Sequence, residues 1–248
     1  MNSSKGSIVL AFDIEMSGNN PQEFDLLGLG ISVIDENKEE LEHQLFPCYF
    51  PKQTKFEEKC WDEFWSKHED KLKLLEYKGN KRKEERLKEV ITAFQNIRRH
   101  WELTASELKN NYNIVSDNNV FDGGIINHYI IKYTKDMPLP YTASEGKYSS
   151  FYETSSLFKG FLLATDPEFS LNNEWGFFKK IQEIHNIPKF EREHDHNPAN
   201  DAYTIACEFQ SVMKICKGTP EKKETIEPIM FLLILFTCVS IYFYFILP

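Results

Sequence analysis

Hydrophobic and polar positions along this chain switch between two periods. Residues 8–12, Ile-Val-Leu-Ala-Phe, form a continuous apolar run that predicts a buried strand. Leu26–Ile34, LLGLGISVI, predicts a second strand, and residues 41–48 alternate enough to predict a third. The turn clusters at 17–21 and 35–38 join these strands closely, which predicts an antiparallel meander. The period then changes. Trp61, Phe64, Trp65, Leu72 and Leu75 recur at helical spacing and predict a helix within 56–77. A second helix comes next, with Leu87, Val90, Ile91, Phe94, Ile97 and Trp101 along one side. Residues 113–116 predict a fourth strand, 125–133 a helix, and 147–152 a fifth strand. Further helices are predicted over 154–164 and 177–185. Asn197 and Pro198 open the last one as N-cap and first helical residue, with Ile205, Ala206, Phe209 and Val212 on its apolar side. Strands, helices, strand, helix is an α/β pattern, and no internal repeat interrupts it.

The last stretch behaves differently. Residues 229–247 carry no charge. As a helix they would span about 28 Å, close to the hydrocarbon thickness of a bilayer. They have no polar face to turn to water. The expectation is a transmembrane helix acting as a tail anchor, joined by a charged linker over 219–228 to a folded domain over 1–218. Lys214, Lys217, Lys222 and Lys223 flank it on the inner side, which predicts a folded domain on the cytoplasmic face.

Composition narrows the classes. The formal net charge of −9 argues against coating nucleic acid through bulk charge, while permitting an enzyme with a local basic groove. The basic run 81–86 mixes both signs, and reads as a solvated helix start more readily than as a nucleic-acid contact. The Trp and Phe residues read as core. Five cysteines, an odd count with no CxxC spacing, point to free thiols in a reducing compartment. The N-terminal apolar run is short and is interrupted by Asp13 and Glu15, unlike a secretory signal.

Those two acids are the first candidate chemistry. On a strand, residues i and i+2 share a face, so Asp13 and Glu15 project side by side. Adjacent carboxylates repel, and a hard divalent cation is the usual relief. The pair alone is weak, because Glu191 and Glu193 share the spacing with no strand behind them. Its plain alternative is a strand end turning into solvent. Asp122 comes after the fourth strand and starts a helix, where α/β sheets place ligand sites but where Asp is also common for its own sake. The third cluster runs over 194–202, HDHNPANDA: His196 precedes the helix that carries Asp201, and an imidazole near acids suits a general base at neutral pH.

Taken together, DIE at 13–15, SDNNVFDGG ending past Asp122, and HNPANDA at 196–202 resemble the three motifs of the DEDDh 3′-to-5′ exonucleases of the ribonuclease-H-like superfamily. The resemblance covers about residues 7–216, with a helical insertion near 55–110. Segments such as EFWSKH are similar to exonuclease-like proteins of large DNA viruses. A terminal membrane span departs from the family pattern. The resemblance implies a mixed sheet of three antiparallel strands plus parallel strands, flanked by helices. It implies two magnesium or manganese ions held by Asp13, Glu15, Asp122 and Asp201, with His196 as general base. The substrate would be the 3′ end of single-stranded RNA or DNA, and the product nucleoside monophosphates. Asn118 would position a ligand or the terminal nucleotide, and Ile14 and Met16 would pack against the last base. The lipid bilayer would be a second partner, through 229–247. A catalytically silent nucleic-acid-binding or scaffolding protein of the same fold is the alternative.

Overall fold

A computed structural model describes residues 6–143, 150–169, 176–190 and 195–218. The expected anchor and linker lie outside the described residues, as do residues 147–149 of the expected fifth strand. No helix among the described residues is long and apolar enough to cross a membrane.

Five strands form one sheet: β1 (Ser7–Met16), β2 (Leu26–Ile34), β3 (Glu40–Pro47), β4 (Asn111–Ser116) and β5 (Ser150–Glu153), in the order β3-β2-β1-β4-β5. β1, β2 and β3 pair antiparallel, while β4 and β5 continue the sheet parallel to β1. This is the expected mixed sheet. β1 lies at its centre because its residues can be buried on both sides. Ile8, Leu10, Phe12 and Ile14 join Leu87, Val90, Ile91 and Phe94 of the long helix α3 (Lys83–Leu108) in the main core. Phe12 and Phe94 meet edge to face, with ring centroids 5.4 Å apart.

The opposite face of β1 and β2 is lined by small residues, and that decides where the last helix lies. Asp13 pairs with Gly30, Glu15 with Gly28 and Ala11 with Ser32. The helix α7 (Pro198–Gly218) uses the space. A Cβ placed on Gly30 would lie 1.9 Å from the carbonyl carbon of Pro198, so only glycine allows this approach. Further along α7, the Gln210 amide donates to the Ser7 hydroxyl at 2.8 Å. α7 therefore runs antiparallel to β1, with its first turn over the acids and Gln210 over the strand's beginning. The expected cap is present: Asn197 Oδ1 accepts from the Ala199 N–H at 3.2 Å, and Ile205, Ala206, Phe209 and Val212 are buried.

The expected helix over 56–77 is not one helix. It divides into α1 (Glu58–Glu63), a single tight turn over Trp65–Lys67, and α2 (Glu69–Leu74). The breaks fall at Phe64 (φ −130°, ψ −70°) and His68 (φ −127°, ψ 41°). The cause is Trp65. Its ring is 1% exposed and its indole N–H donates to the Met16 carbonyl at 3.0 Å, pinning the segment to the end of β1. Leu27, Trp65, Leu72 and Leu75 form a separate core, so helical spacing arises here from several short pieces packing on one cluster.

After β4 a wide five-residue turn over 119–123 leads into α4 (Gly124–Tyr133). The described residues divide into two compact units, one within Met1–Thr154 with Pro188–Gln210, the other within Ser155–Ile187 with Ser211–Pro248. The second contains most of α5 (Thr154–Thr165) and all of α6 (Phe177–His185). Within it Phe158 and Phe178 rings lie 5.3 Å apart, and Lys180 pairs with Asp166 at 2.6 Å.

Replacing Gly30 with Ala should force α7 off β2. We expect a loss of about 1–3 kcal/mol or more, as overpacked cores show, measured by urea unfolding. An unchanged unfolding midpoint would mean that α7 does not rest on this glycine.

Candidate active site

β1 delivers Asp13 and Glu15 to the small-residue face, directly under the first turn of α7. Asp13 is 7% exposed, Asp122 3% and Asp201 0%. Glu15 and His196 are half-buried. The structure brings all five together in two adjoining groups. Ligand-capable atoms of Glu15, His196 and Asp201 all lie within 4.8 Å of one another, as do those of Asp13, Asp117 and Asp122. The two groups share one electrostatic environment. Burial pushes the Asp13 carboxyl well above the usual carboxylate range, and the charges of Asp122, Glu15, Asp117 and Asp201 push it further.

Asp122 is carried by the wide turn rather than by the first turn of α4. Asn118 builds that turn: its Oδ1 accepts from the Phe121 N–H at 3.1 Å, and its own N–H points to Asp122 Oδ2 at 3.4 Å. Asn118 thus orients the segment bearing Asp122. Burial raises the Asp122 carboxyl, Asp117 adds to that through a hydrogen bond and its charge, and the Asn118 N–H opposes it.

Ile14 and Met16 do not line this space. Both are 5% exposed and belong to the core cluster that contains Phe94. On a strand the residue beside an acid points to the other face, so Ile14 packs away from Asp13 and Glu15.

The His196 loop is tightly made. Asp201 Oδ1 accepts the Asp195 N–H at 2.9 Å, and Asp195 Oδ1 accepts the Asn197 N–H at 3.1 Å. His196 itself has φ 60°, in the left-handed region. Its Nδ1 lies 3.5 Å from Glu15 Oε1. That contact raises the imidazole pKa above its ordinary value, against the effect of burial. The Phe64 ring meets the imidazole edge on at 4.6 Å.

Three features of the site were not read from the sequence. Asp117 stands inside the acid group; its signal is that it comes directly after the carboxyl end of β4, where such sheets present ligands. Asp195 organises the loop. Gly30 admits the first turn of α7 beside the acids and Gly28 admits Leu75, and their signal is their spacing of two in a largely apolar strand.

The donor set fits hard divalent cations: carboxylate oxygens from β1, the wide turn and α7 converge, and their mutual repulsion is what bound positive charge would relieve.

No protein-family model and no curated protein sequence matches the chain. Solved structures of Escherichia coli exonuclease I do match in fold. The complex with a dT13 oligonucleotide has a TM-score of 0.54 at 16% identity, covering 91% of this chain and 42% of that one. The zinc-bound form in complex with single-stranded DNA has a TM-score of 0.54 at 16% identity, covering 86% and 41%. The complex with dA16 has a TM-score of 0.53 at 15% identity, covering 84% and 41%. The chain spans about two fifths of the exonuclease I chains it matches. At these identities the likeness is one of fold.

The raised carboxyls have a consequence for stability. Asp13 and Asp122 bind protons more tightly folded than unfolded, where their pKa is about 4, so their contribution is full below that pH and declines as pH rises. His196, also raised, acts in the same direction. Burial pushes Glu208 up to about 8, which adds to the trend. The metal-free protein should therefore melt at a lower temperature at pH 7.5 than at pH 5.5. Added magnesium or manganese should raise the melting temperature more at pH 7.5, because the cation binds ionised acids. Thermal melts with and without Asp13→Asn check this; a slope that is the same in wild type and variant would contradict it.

Proposed function

We propose that this chain is a metal-dependent 3′–5′ exonuclease that removes nucleoside monophosphates from the 3′ end of single-stranded nucleic acid. The observation that carries this reading is the meeting of Asp13, Glu15, Asp122, Asp201 and His196, from three distant segments, in two adjoining and largely buried groups. The shared fold with exonuclease I supports it. That enzyme is seen with single-stranded oligodeoxynucleotides, so DNA is the substrate to test first, alongside matched RNA.

Asp13, Glu15, Asp122 and Asp201 would hold two magnesium or manganese ions. Such ions, when bound, lower the pKa of an attacking water and offset charge on the phosphodiester. The chain's own residues do the rest. Buried carboxylates fix the geometry, since their strand and helix backbones cannot shift independently. His196 accepts the proton from the attacking water. Its contact with Glu15 sets how readily it does so, because a carboxylate beside an imidazole favours the protonated form. The first turn of α7 covers Asp201 and limits water on that side.

We also propose that residues 229–247 tether the protein to a membrane, with the folded domain on the cytoplasmic face. The uncharged, predominantly apolar run and the lysines before it support this.

The direct test incubates the full-length chain, in mild detergent, with 3′-labelled DNA and RNA strands and magnesium. Single-nucleotide products are expected, abolished by EDTA. Asp13→Ala and His196→Ala should each lower kcat at least about 10²-fold, the scale of lost acid–base catalysis. Retained binding with no cleavage at any magnesium or manganese concentration would favour the silent binding protein instead. For the tether, the chain should stay with the membrane fraction at alkaline pH, and removal of 229–248 should release it; release of the intact chain would refute the anchor.

A further inference from the structure

The contacts around His196 lead out of the acid cluster and into the insert formed by α1 and α2. A histidine at φ 60° occupies a conformation that side chains other than glycine adopt rarely, so something must hold it there. The holding group is Asp195. Its Oδ1 accepts from the Asn197 N–H at 3.1 Å and the Asn200 amide at 3.4 Å, while its Oδ2 receives Lys71 Nζ at 3.3 Å. Lys71 comes from the last turn of α2, 124 residues earlier in the chain.

The insert also approaches from the other side. Phe64 packs edge to face on His196 at 4.6 Å, with His68 stacked obliquely on Phe64 at 4.6 Å. Trp65, next in the chain, is tied to the carbonyl of Met16, the residue after Glu15. One segment therefore reaches both the strand end that carries Glu15 and the loop that carries His196. An isolated, partly exposed ion pair contributes little. Here the lysine completes the donor set of a carboxylate that already fixes two neighbours of His196, so its loss would loosen the loop rather than only remove a charge.

We propose that Lys71 is a positioning residue: acting through Asp195, it holds the His196 loop in its left-handed conformation, so that the insert sets the imidazole over the acids. The kinetic consequence rests on the exonuclease reading, while the structural consequence does not.

The test uses the full-length chain in mild detergent, comparing wild type with Lys71→Gln, Lys71→Arg and, as a control on the same helix, Lys73→Gln. Lys71→Gln should lower kcat about 10- to 30-fold with KM within about twofold, the pattern of a displaced catalytic group. Lys71→Arg should recover most of the loss, and Lys73→Gln should match wild type. The Cε1–H NMR signal of His196, assigned with His196→Gln, should move in Lys71→Gln and stay in place in Lys73→Gln. Should Lys71→Gln fail to fold, Asp195→Asn, which keeps the side-chain shape, carries the same two readouts. An unchanged kcat, an unchanged His196 signal, or a raised KM at constant kcat would each overturn the proposal, the last by making Lys71 a substrate contact. If wild type cleaves no strand, the exonuclease reading fails, and the proposal then stands or falls on the His196 signal alone.

Discussion

The arrangement depends on one close approach: the backbone of the first turn of α7 lies against the backbone of β2 at Gly30, while Gly28 beside it makes room for the Leu75 side chain. Where side chains cover a sheet they keep the next layer about 10 Å away. At Gly30 the separation collapses to backbone contact. Asp201 lies one turn inside α7 and His196 just before it, so the approach lowers both onto the row formed by Asp13 and Glu15. The cross-strand pairing of each acid with a glycine means that the position of the acids and the room above them are set by the same register.

This geometry is electrostatically costly. Three carboxyls are nearly or wholly buried and two more stand beside them. Such a cluster persists only because the rest of the domain is anchored independently. β1 is embedded in the Phe12 and Phe94 core, α7 is tied by Gln210 to Ser7, and the end of β1 is held by Trp65. The stability of the sheet thus underwrites a site that would by itself drive its groups apart. Tension of this kind is common where charge is gathered to hold charge of the opposite sign.

The three antiparallel strands, the α/β class and the five candidate residues could be read from the chain because each rests on local information: a period of two, an apolar run, a cap, a short motif. Asn197 and Pro198 are an instance, since a cap is decided within one turn. Asp117 and Asp195 could not be weighted in the same way. Each is an ordinary loop aspartate until folding sets it beside Asp122 or within reach of Lys71. The aromatic residues over 58–74 misled for a related reason: helical spacing records which positions meet a common core, and three short turns can satisfy it as well as one helix. Ile14 is a different case. Strand alternation alone sets it on the face opposite the acids, so neighbouring Asp13 in sequence separates it from Asp13 in space.

The wide turn over 119–123 has a further consequence. Each residue added to or taken from a helical segment rotates the downstream part of the helix by about 100°. Here the turn fixes the phase between β4, Asp122 and the buried face of α4 that carries Ile126 and Ile130. Many substitutions at the exposed Val120 are compatible with that phase, but a single insertion or deletion is not. Between Asn118 and Gly124, length is therefore constrained alongside the identity of Asp122, because only one residue count sets that carboxyl over the site and Ile126 in the core at once.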